Sequence, residues 1–511
     1  MFRKVLIANR GEIALRVIQA VHELGAHAIA LYTDTDAHAP YVAAADEAWP
    51  LPGRTVAETW LCAPRILELA RAHNADAIHP GYGFLSENAA FAEQCAINGI
   101  CFVGPTPDVI RRMGDKIVAR QTMEAAGVAV VPGATVEGPL SAWLEAADQI
   151  GYPVLLKAAA GGGGKGMRVV SDAAGLESAR DAASREAERA FGDARVFMER
   201  YLNRPRHVEV QIFGDLHGNL VHMLERECSI QRRHQKVVEE APSPALDAEL
   251  RTRMGAAAVA AARAVGYTNA GTIEFILDAS RNFYFMEMNT RLQVEHGVTE
   301  LMLGHDLVRT QLLVAAGEPL PFAQHELVAR AHALECRIYA EDPSNDFLPA
   351  TGHVRRMRVP QGPGIRVDCG IAEGSEVTVH HDPMLAKVMT WGSTRREAID
   401  KMREALRRFV LLGVTTNVMF LQALLTHPEF VAGRLHTHFL QEYRIGDDAP
   451  DLPGSEPRPD AGYRPPPPSL EALVVTATMR RATRARTATQ ADTGCTVLGP
   501  WASNNGWRAS Q

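Results

Sequence analysis

The sequence predicts a mixed α/β and α+β chain that opens with a doubly wound parallel-sheet layer. Three observations predict it. Strand-like apolar runs alternate with helical periodicity up to about residue 110; hairpin patterns and a glycine run fill 115–330; strands followed by one amphipathic helix fill 331–446. At 511 residues the length fits roughly three domains of ~150 residues each.

Taken in order, Lys4 to Ala8 reads as a buried strand. Ile13, Val17, Ile18, Val21 and Leu24 then share one helical face before a second strand around Ala28 to Thr33. The turn Asn9-Arg10-Gly11 carries one glycine where a dinucleotide fingerprint needs three, which argues against a nicotinamide cofactor. Ala75 to His79 and Ile100 to Val103 continue the alternation. In the third region, His353 to Val359 and Glu376 to His380 read as strands and Thr394 to Phe409 as a helix. Eight prolines between Pro450 and Pro468 mark a linker, and the four arginines of Arg480 to Arg486 read as a solvated stretch.

Composition narrows the function class. Hydrophobic residues make up 46% and charged residues 22%, close to a soluble globular average. With 60 acidic against 53 basic residues the net charge is -7, so no whole-chain polycation is offered to nucleic acid. The seven cysteines lie scattered from Cys62 to Cys495 without a C-x-x-C pair, so a reducing, cytoplasmic setting is expected rather than a disulfide framework or zinc knuckle. Met1 to Ala20 holds only Val5 to Ala8 as an apolar run, too short for a signal peptide, and no stretch of ~18 apolar residues predicts a membrane span.

Chemistry concentrates in two places. Pro153 to Lys157 and Met167 to Val170 read as strands flanking Gly161 to Gly164, Lys165 and Gly166. A glycine loop between two strands is a flap; a Walker loop would open a helix and end G-K-[ST]. Its backbone N–H groups can approach phosphate oxygens closely, with Lys157 and Lys165 supplying point charges. The second place is the hairpin Gly271 to Asp278 and Phe283 to Asn289. If Asp278 opposes Phe283, Glu274 opposes Glu287. At ~5 Å and an effective dielectric of ~20, two such charges repel by ~3 kcal/mol, which a divalent cation would relieve. With Asn289 beside them, the hard oxygen ligands suit magnesium on a nucleotide phosphate. Glu287, Asn289, Arg291, Gln293 and Glu295 recur at a spacing of two, so an extended chain points all five one way, with Met288, Leu292 and Val294 packing behind. Arg291 can hold a small planar oxyanion and Glu295 can take its proton. Gln231 to Lys236 adds a local positive cluster.

These residues carry a family resemblance. His79-Pro-Gly-Tyr-Gly-Phe-Leu-Ser-Glu-Asn88, the lysine-glycine run from Lys157 to Arg168, Arg206 to Gln211, Cys228 to Glu240 and Glu287 to His296 resemble, in order, the motifs of biotin carboxylase, the component of biotin-dependent carboxylases that carries an ATP-grasp domain. The resemblance spans residues 1 to about 446. It implies an N-terminal Rossmann-like domain (1–114), an ATP-grasp domain (115–330) with a mobile glycine-rich lid at about 131–203, and a C-terminal mixed α+β domain (331–446). Residues 447–511 are expected to form a proline-rich linker and the start of a subunit-docking region, stopping short of a biotinyl domain.

It further implies that ATP sits under the flap formed by Gly162, Gly163, Gly164, Lys165, Gly166 and Met167. Lys116 and Lys157 would meet its phosphates, Glu199 and Leu202 would lie near adenine, and His207, Gln231 and His234 would line the pocket. Glu274, Glu287 and Asn289 would hold Mg²⁺ or Mn²⁺. Bicarbonate would meet Arg291, Lys236 and the backbone at Gln293 and Val294, with Glu295 as base and Arg337 stabilising a biotin enolate. The implied reaction is carboxylation of biotin on a separate carrier or carrier domain through carboxyphosphate. It would be the first half-reaction of an acetyl-, propionyl- or 3-methylcrotonyl-CoA carboxylase, with a carboxyltransferase (β) subunit as partner and a homodimer or larger hetero-oligomer as the assembly. The alternatives are another ATP-grasp ligase of carbamoyl-phosphate type and an inactive nucleotide-binding remnant. Departures from the family pattern are Gly297 where relatives have proline, Arg200 where they have lysine, and His380-His381 where an aromatic is usual.

Overall fold

The computed structural model describes residues 1–161 and 166–446. The glycine-run residues Gly162, Gly163, Gly164 and Lys165, and everything expected of 447–511, lie outside the described residues.

The first layer is the parallel sheet the alternation predicts. Its strands are β1 (Lys4–Ile7), β2 (His27–Tyr32), β3 (Glu47–Pro50), β4 (Ala77–His79) and β5 (Cys101–Phe102), in the order β3-β2-β1-β4-β5. Helix Gly11–Glu23 connects β1 to β2 and buries Ile13, Val17, Ile18 and Val21. The strand order reverses between β1 and β4, and such a switch point leaves a crevice at the carboxyl ends of the strands. Asn9 crosses that crevice, its amide donating to the carbonyls of Pro80 and Tyr82, both at 2.7 Å.

The glycine-rich segment belongs to a small antiparallel sheet. It contains β6 (Gly133–Ala134), β7 (Val154–Ala158), β8 (Arg168–Val170) and β9 (Val196–Arg200), ordered β6-β9-β7-β8. β7 and β8 pair antiparallel, from Val154 with Val170 to Leu156 with Arg168. The glycine run therefore joins two hydrogen-bonded strands, the flap arrangement read from the sequence.

An eight-stranded antiparallel sheet forms the centre. β10 (Arg206–Gly214), β11 (Leu220–Arg232), β12 (Gln235–Ala241), β13 (Asn269–Leu277), β14 (Phe283–Asn289) and β15 (His332–Tyr339) are joined by Met384–Gly392 and Ile365–Cys369, in the order β14-β13-β10-β11-β12-β15 and then those two. The sheet thus runs without interruption past residue 331. Helix Ala248–Ala264 packs on one part through Leu250, Met254, Ala258 and Ala262, and helix Arg395–Arg408 packs on another through Ile399, Met402 and Leu406. Thr394 caps the latter helix, accepting from the Glu397 N–H.

The third region departs from two expectations. The run His353 to Val359 is two short strands, because His353 pairs with Glu376 whereas Arg356 pairs with Leu412: the chain changes partner between them. The strand expected over Glu376 to His380 ends at Val377, since only Glu376 and Val377 find a partner there. Among the described residues, no helix is long and apolar enough to cross a membrane.

Candidate active site

The β13–β14 hairpin places the carboxylates as the sequence predicts, by a different route. At the turn Leu277, not Asp278, opposes Phe283, and Phe275 opposes Phe285. A bulge then adds Met286 to the second strand, so Glu274 still opposes Glu287. Their charges are not left to a cation alone. Glu274 Oε1 accepts from Lys236 Nζ at 2.9 Å, from Asn289 Nδ2 at 2.9 Å and from Gln293 Nε2 at 3.2 Å. Its Oε2 lies 3.0 Å from His207 Nε2. Glu287 pairs with Lys116. Flanking ammonium groups, Lys236 at Glu274 and Lys116 at Glu287, already offset the repulsion for which the sequence suggests a divalent cation. Burial alone would raise the Glu274 carboxyl, but Lys236 and His207 hold it well below the ordinary carboxylate range.

The five-residue alternation is also corrected. β14 ends at Asn289, and Thr290 to Glu295 form no strand. Arg291 gathers Asn289 and Gln293, whereas Lys236 and Arg337 hold Glu295. Arg291 Nη1 donates to the Gln293 side chain at 2.7 Å and to the Leu292 carbonyl at 3.1 Å, its Nη2 to Asn289 Oδ1 at 3.3 Å, and its Nε to Glu87 at 2.8 Å. Met288 and Leu292 are buried as expected, but Val294 is only half-buried, and its carbonyl accepts from Lys387 Nζ at 2.8 Å. The turn presenting Glu295 is pinned by His296, whose Nδ1 lies 2.8 Å from the Gln293 carbonyl. Helix His296–Leu303 starts there.

Lys236 sits just after a two-residue hairpin turn, Arg233-His234, in which both residues adopt positive φ, 50° and 66°. Its ammonium donates to Glu209 at 2.6 Å, Glu274 at 2.9 Å and Glu295 at 2.6 Å. The buried Arg226 supplies further positive charge to Glu209 at 2.5 Å. Glu295 completes its contacts with Arg337 Nη2 at 2.9 Å, and Arg337 also donates to Glu239 at 2.6 Å. Burial would raise Glu295, yet Lys236, Arg337 and Arg226 together hold it well below the usual range. Burial opposes the charge on Lys236 too, but its three carboxylates raise it well above an ordinary lysine. Glu239 goes the other way: burial pushes it up to about 7 despite Arg337.

On the lid side, Lys157 Nζ meets Glu199 at 2.6 Å, and Arg120 meets the other oxygen of Glu199 at 3.0 Å. The Lys116 N–H bonds the Ala159 carbonyl at 2.9 Å, tying the start of helix Lys116–Ala125 to the end of β7. Gly166 is buried at φ +73°, a conformation L side chains rarely adopt, and an added Cβ would lie 3.0 Å from that of Ala158. Met167 and Leu202 are half-buried. Gln231 donates to His207 Nδ1 at 2.6 Å, which leaves the Nε2 proton facing Glu274. His234 is exposed at its turn.

Several participants were not singled out from the sequence. Glu209 alternates with His207 on β10, a two-residue spacing that places both on one face. Glu87 lies inside a motif quoted for other reasons. Glu239 lies inside the quoted run Cys228 to Glu240, Arg226 just before it, and their partners across the sheet reveal both as buried.

Comparison with known proteins fits this geometry. The chain matches the family models for the biotin carboxylase N-terminal domain over residues 1–110 and the biotin carboxylase C-terminal domain over 335–442. The model for the carbamoyl-phosphate synthase L chain ATP-binding domain matches 115–323. It is 50% identical to biotin carboxylase 2 of Bacillus subtilis, covering 87% of this chain and 100% of that one. The chain belongs to the biotin carboxylase family. It is also 48% identical to the mitochondrial methylcrotonoyl-CoA carboxylase subunit alpha of Dictyostelium discoideum, over 89% of this chain but only 65% of that subunit's length. Among solved structures, the biotin carboxylase domain dimer of Hydrogenobacter thermophilus 2-oxoglutarate carboxylase, in complex with MgADP, ADP and bicarbonate, matches with a TM-score of 0.84 and 45% identity, covering 86% of this chain and 98% of that one. The biotin carboxylase fold, with its parallel-sheet, ATP-grasp and C-terminal parts, is the one the sequence predicts.

Proposed function

We propose that the chain carboxylates biotin on a carrier protein, using ATP and bicarbonate through carboxyphosphate. The observation that carries this reading is one connected network, in which Lys236 and Arg337 hold the Glu295 carboxylate beside Arg291, Gln293, Asn289 and Glu274. Phosphoryl transfer asks mainly for positioning and charge stabilisation, which such a network supplies.

In this reading Lys116 and Lys157 release their carboxylate partners to the ATP phosphates, under the flap of Gly162 to Met167. His207, Gln231, His234, Glu199 and Leu202 surround the nucleoside. Glu274, Glu287 and Asn289 fit Mg²⁺ or Mn²⁺: they offer oxygen donors, two of them carboxylates in direct register, with no thiol among them. The ion would neutralise charge on the phosphates. Bicarbonate binds Arg291, Lys236 and the backbone at Gln293 and Val294. Drawing Lys236 toward bicarbonate weakens its hold on Glu295, so the carboxylate gains basicity as its substrate arrives. Glu295 takes the bicarbonate proton, a bicarbonate oxygen attacks the γ-phosphorus, and ADP leaves. Carboxyphosphate then divides into CO₂ and phosphate, the phosphate takes the ureido proton, and the biotin nitrogen attacks CO₂ while Arg337 stabilises the enolate. A closed lid keeps water from carboxyphosphate.

The domain division that goes with this reading is 1–114, 115–330 and 331–446. The similarity to a methylcrotonoyl-CoA carboxylase alpha subunit supports a biotin carrier and a carboxyltransferase subunit as partners, and the Hydrogenobacter dimer supports a homodimer. Six free cysteines among the described residues support a cytoplasmic setting. The test is ATP hydrolysis by the purified chain with and without bicarbonate and free biotin. We expect hydrolysis that requires bicarbonate and rises with biotin, and a loss of about 10²–10⁴-fold in Glu295→Gln. Hydrolysis indifferent to both additions would overturn the reading; stimulation by ammonia instead of biotin would favour the carbamoyl-phosphate-type reaction.

A further inference from the structure

His436, His438 and Glu442 lie where the chain approaches helix Phe439–Glu442 and runs along it. The ligand atoms of all three lie within 4.8 Å of one another. His436 Nε2 stands 3.7 Å from Glu442 Oε2. Two ligands of a tetrahedral zinc, each bound at about 2.1 Å, sit about 3.4 Å apart, so this pair is within a few tenths of an ångström of sharing an ion. The His436 ring is largely stripped of solvent, and among the described residues its Nδ1 has no hydrogen-bond partner.

We infer that His436, His438 and Glu442 form a second metal site, separate from the carboxylate cluster around Glu274, that takes a transition-metal cation of the zinc class. Two imidazoles and one carboxylate suit zinc or cobalt and not the hard, oxygen-seeking magnesium. One group competes for the site. Arg204 holds both oxygens of Glu442, at 2.8 and 2.7 Å, and a bound cation would push the guanidinium away. His438 is likewise engaged, its Nε2 lying 3.3 Å from the Tyr201 hydroxyl. Tyr201 and Arg204 follow directly on β9, which carries Glu199. Occupancy therefore frees the segment Tyr201 to Arg204 from helix Phe439–Glu442. Resting on the proposed nucleotide reading of the neighbouring site, this predicts that bound zinc raises KM for ATP.

The direct test does not depend on that reading. The full chain, stripped with a chelator and held in saturating Mg²⁺ to occupy the carboxylate cluster, is titrated with Co²⁺ while the visible absorption of four-coordinate cobalt is recorded. We expect one equivalent to bind, Zn²⁺ to displace it, and affinity to fall at least about tenfold in His436→Asn and in Glu442→Gln. Arg204→Gln should bind as tightly as the parent or more tightly, since it removes the competing cation; thermal melting of each variant establishes that it is folded. Absence of the cobalt spectrum, or a spectrum unchanged in both His436→Asn and Glu442→Gln, would overturn the site. If the site stands but zinc leaves KM for ATP unaltered, the nucleotide placement fails and the metal site does not.

Discussion

Lys236 shares one positive charge among three buried carboxylates, Glu209, Glu274 and Glu295, and Arg226 and Arg337 bring further positive charge to the same cluster. Removing one partner of a buried ion pair leaves an uncompensated charge and costs about 3–5 kcal/mol. Lys236→Met should therefore lower the unfolding free energy by that order, read as a lower urea midpoint, beyond any loss of activity. Adding Glu209→Gln removes one of the stranded charges and should return part of the loss. If the single variant unfolds at the parent's midpoint, the ammonium is not the cluster's countercharge. On the proposed reading bicarbonate is both ligand and trigger, since the group assigned to bind it is the group that holds Glu295 at low pKa.

At the scale of elements, Gly297 is the departure whose reason becomes visible. It is the second residue of helix His296–Leu303, and an added Cβ would stand 2.3 Å from Met389 Sδ. The methionine occupies space that a larger residue at 297 would need. Gly297→Ala should destabilise by about 1–3 kcal/mol through overpacking, and shortening the neighbour in Gly297→Ala/Met389→Ala should relieve it; additive losses in chemical denaturation would reject the coupling. Arg200 has a local reason too, bonding the Ile150 carbonyl at 3.4 and 3.3 Å; nothing in the structure explains His380. The βαβ opening, the flap and the Thr394-capped helix were legible because each rests on local periodicity or a local cap. The pairing of Glu274 with Glu287 was legible although the turn register was read one residue off, because the bulge at Met286 restores it. The convergence of Arg291, Gln293 and Glu295 was misread as an extended strand: a two-residue spacing looks the same whether a ladder or separate side-chain bonds, here from Arg291, Lys236 and Arg337, gather the side chains. The network through Arg226 was illegible, since Thr299 is its partner 73 residues away.

Across the whole molecule, the N-terminal sheet and the central sheet are tied together at the site by buried polar groups. Tyr82, beyond β4, bonds Glu12, which Lys387 approaches at 3.2 Å, and Lys387 reaches the Val294 carbonyl beside Glu295. On either side of this bridge lies a fully buried neutral histidine. His79 accepts from the Gly81 N–H at 3.0 Å, and burial lowers its pKa to about 4; burial and the nearby Lys387 lower His296 to about 3. An unfolded chain takes up both protons near pH 6.5, whereas the native chain refuses them until about 4 and about 3. The unfolded state thus binds more protons through this window, so the contribution is fully present above pH 6.5 and is lost as pH falls toward 4. For His79 it amounts to about 3 kcal/mol, at about 1.4 kcal/mol for each tenfold loss of proton affinity. Glu239 acts with the opposite sign, because a carboxyl raised to about 7 favours the folded state below that pH. Comparing variants isolates the histidine. His79→Asn, whose side-chain oxygen can still accept from Gly81, should show a smaller fall in urea midpoint between about pH 7.5 and about pH 5 than the parent does; equal falls in the two proteins would mean that His79 is not held neutral by burial.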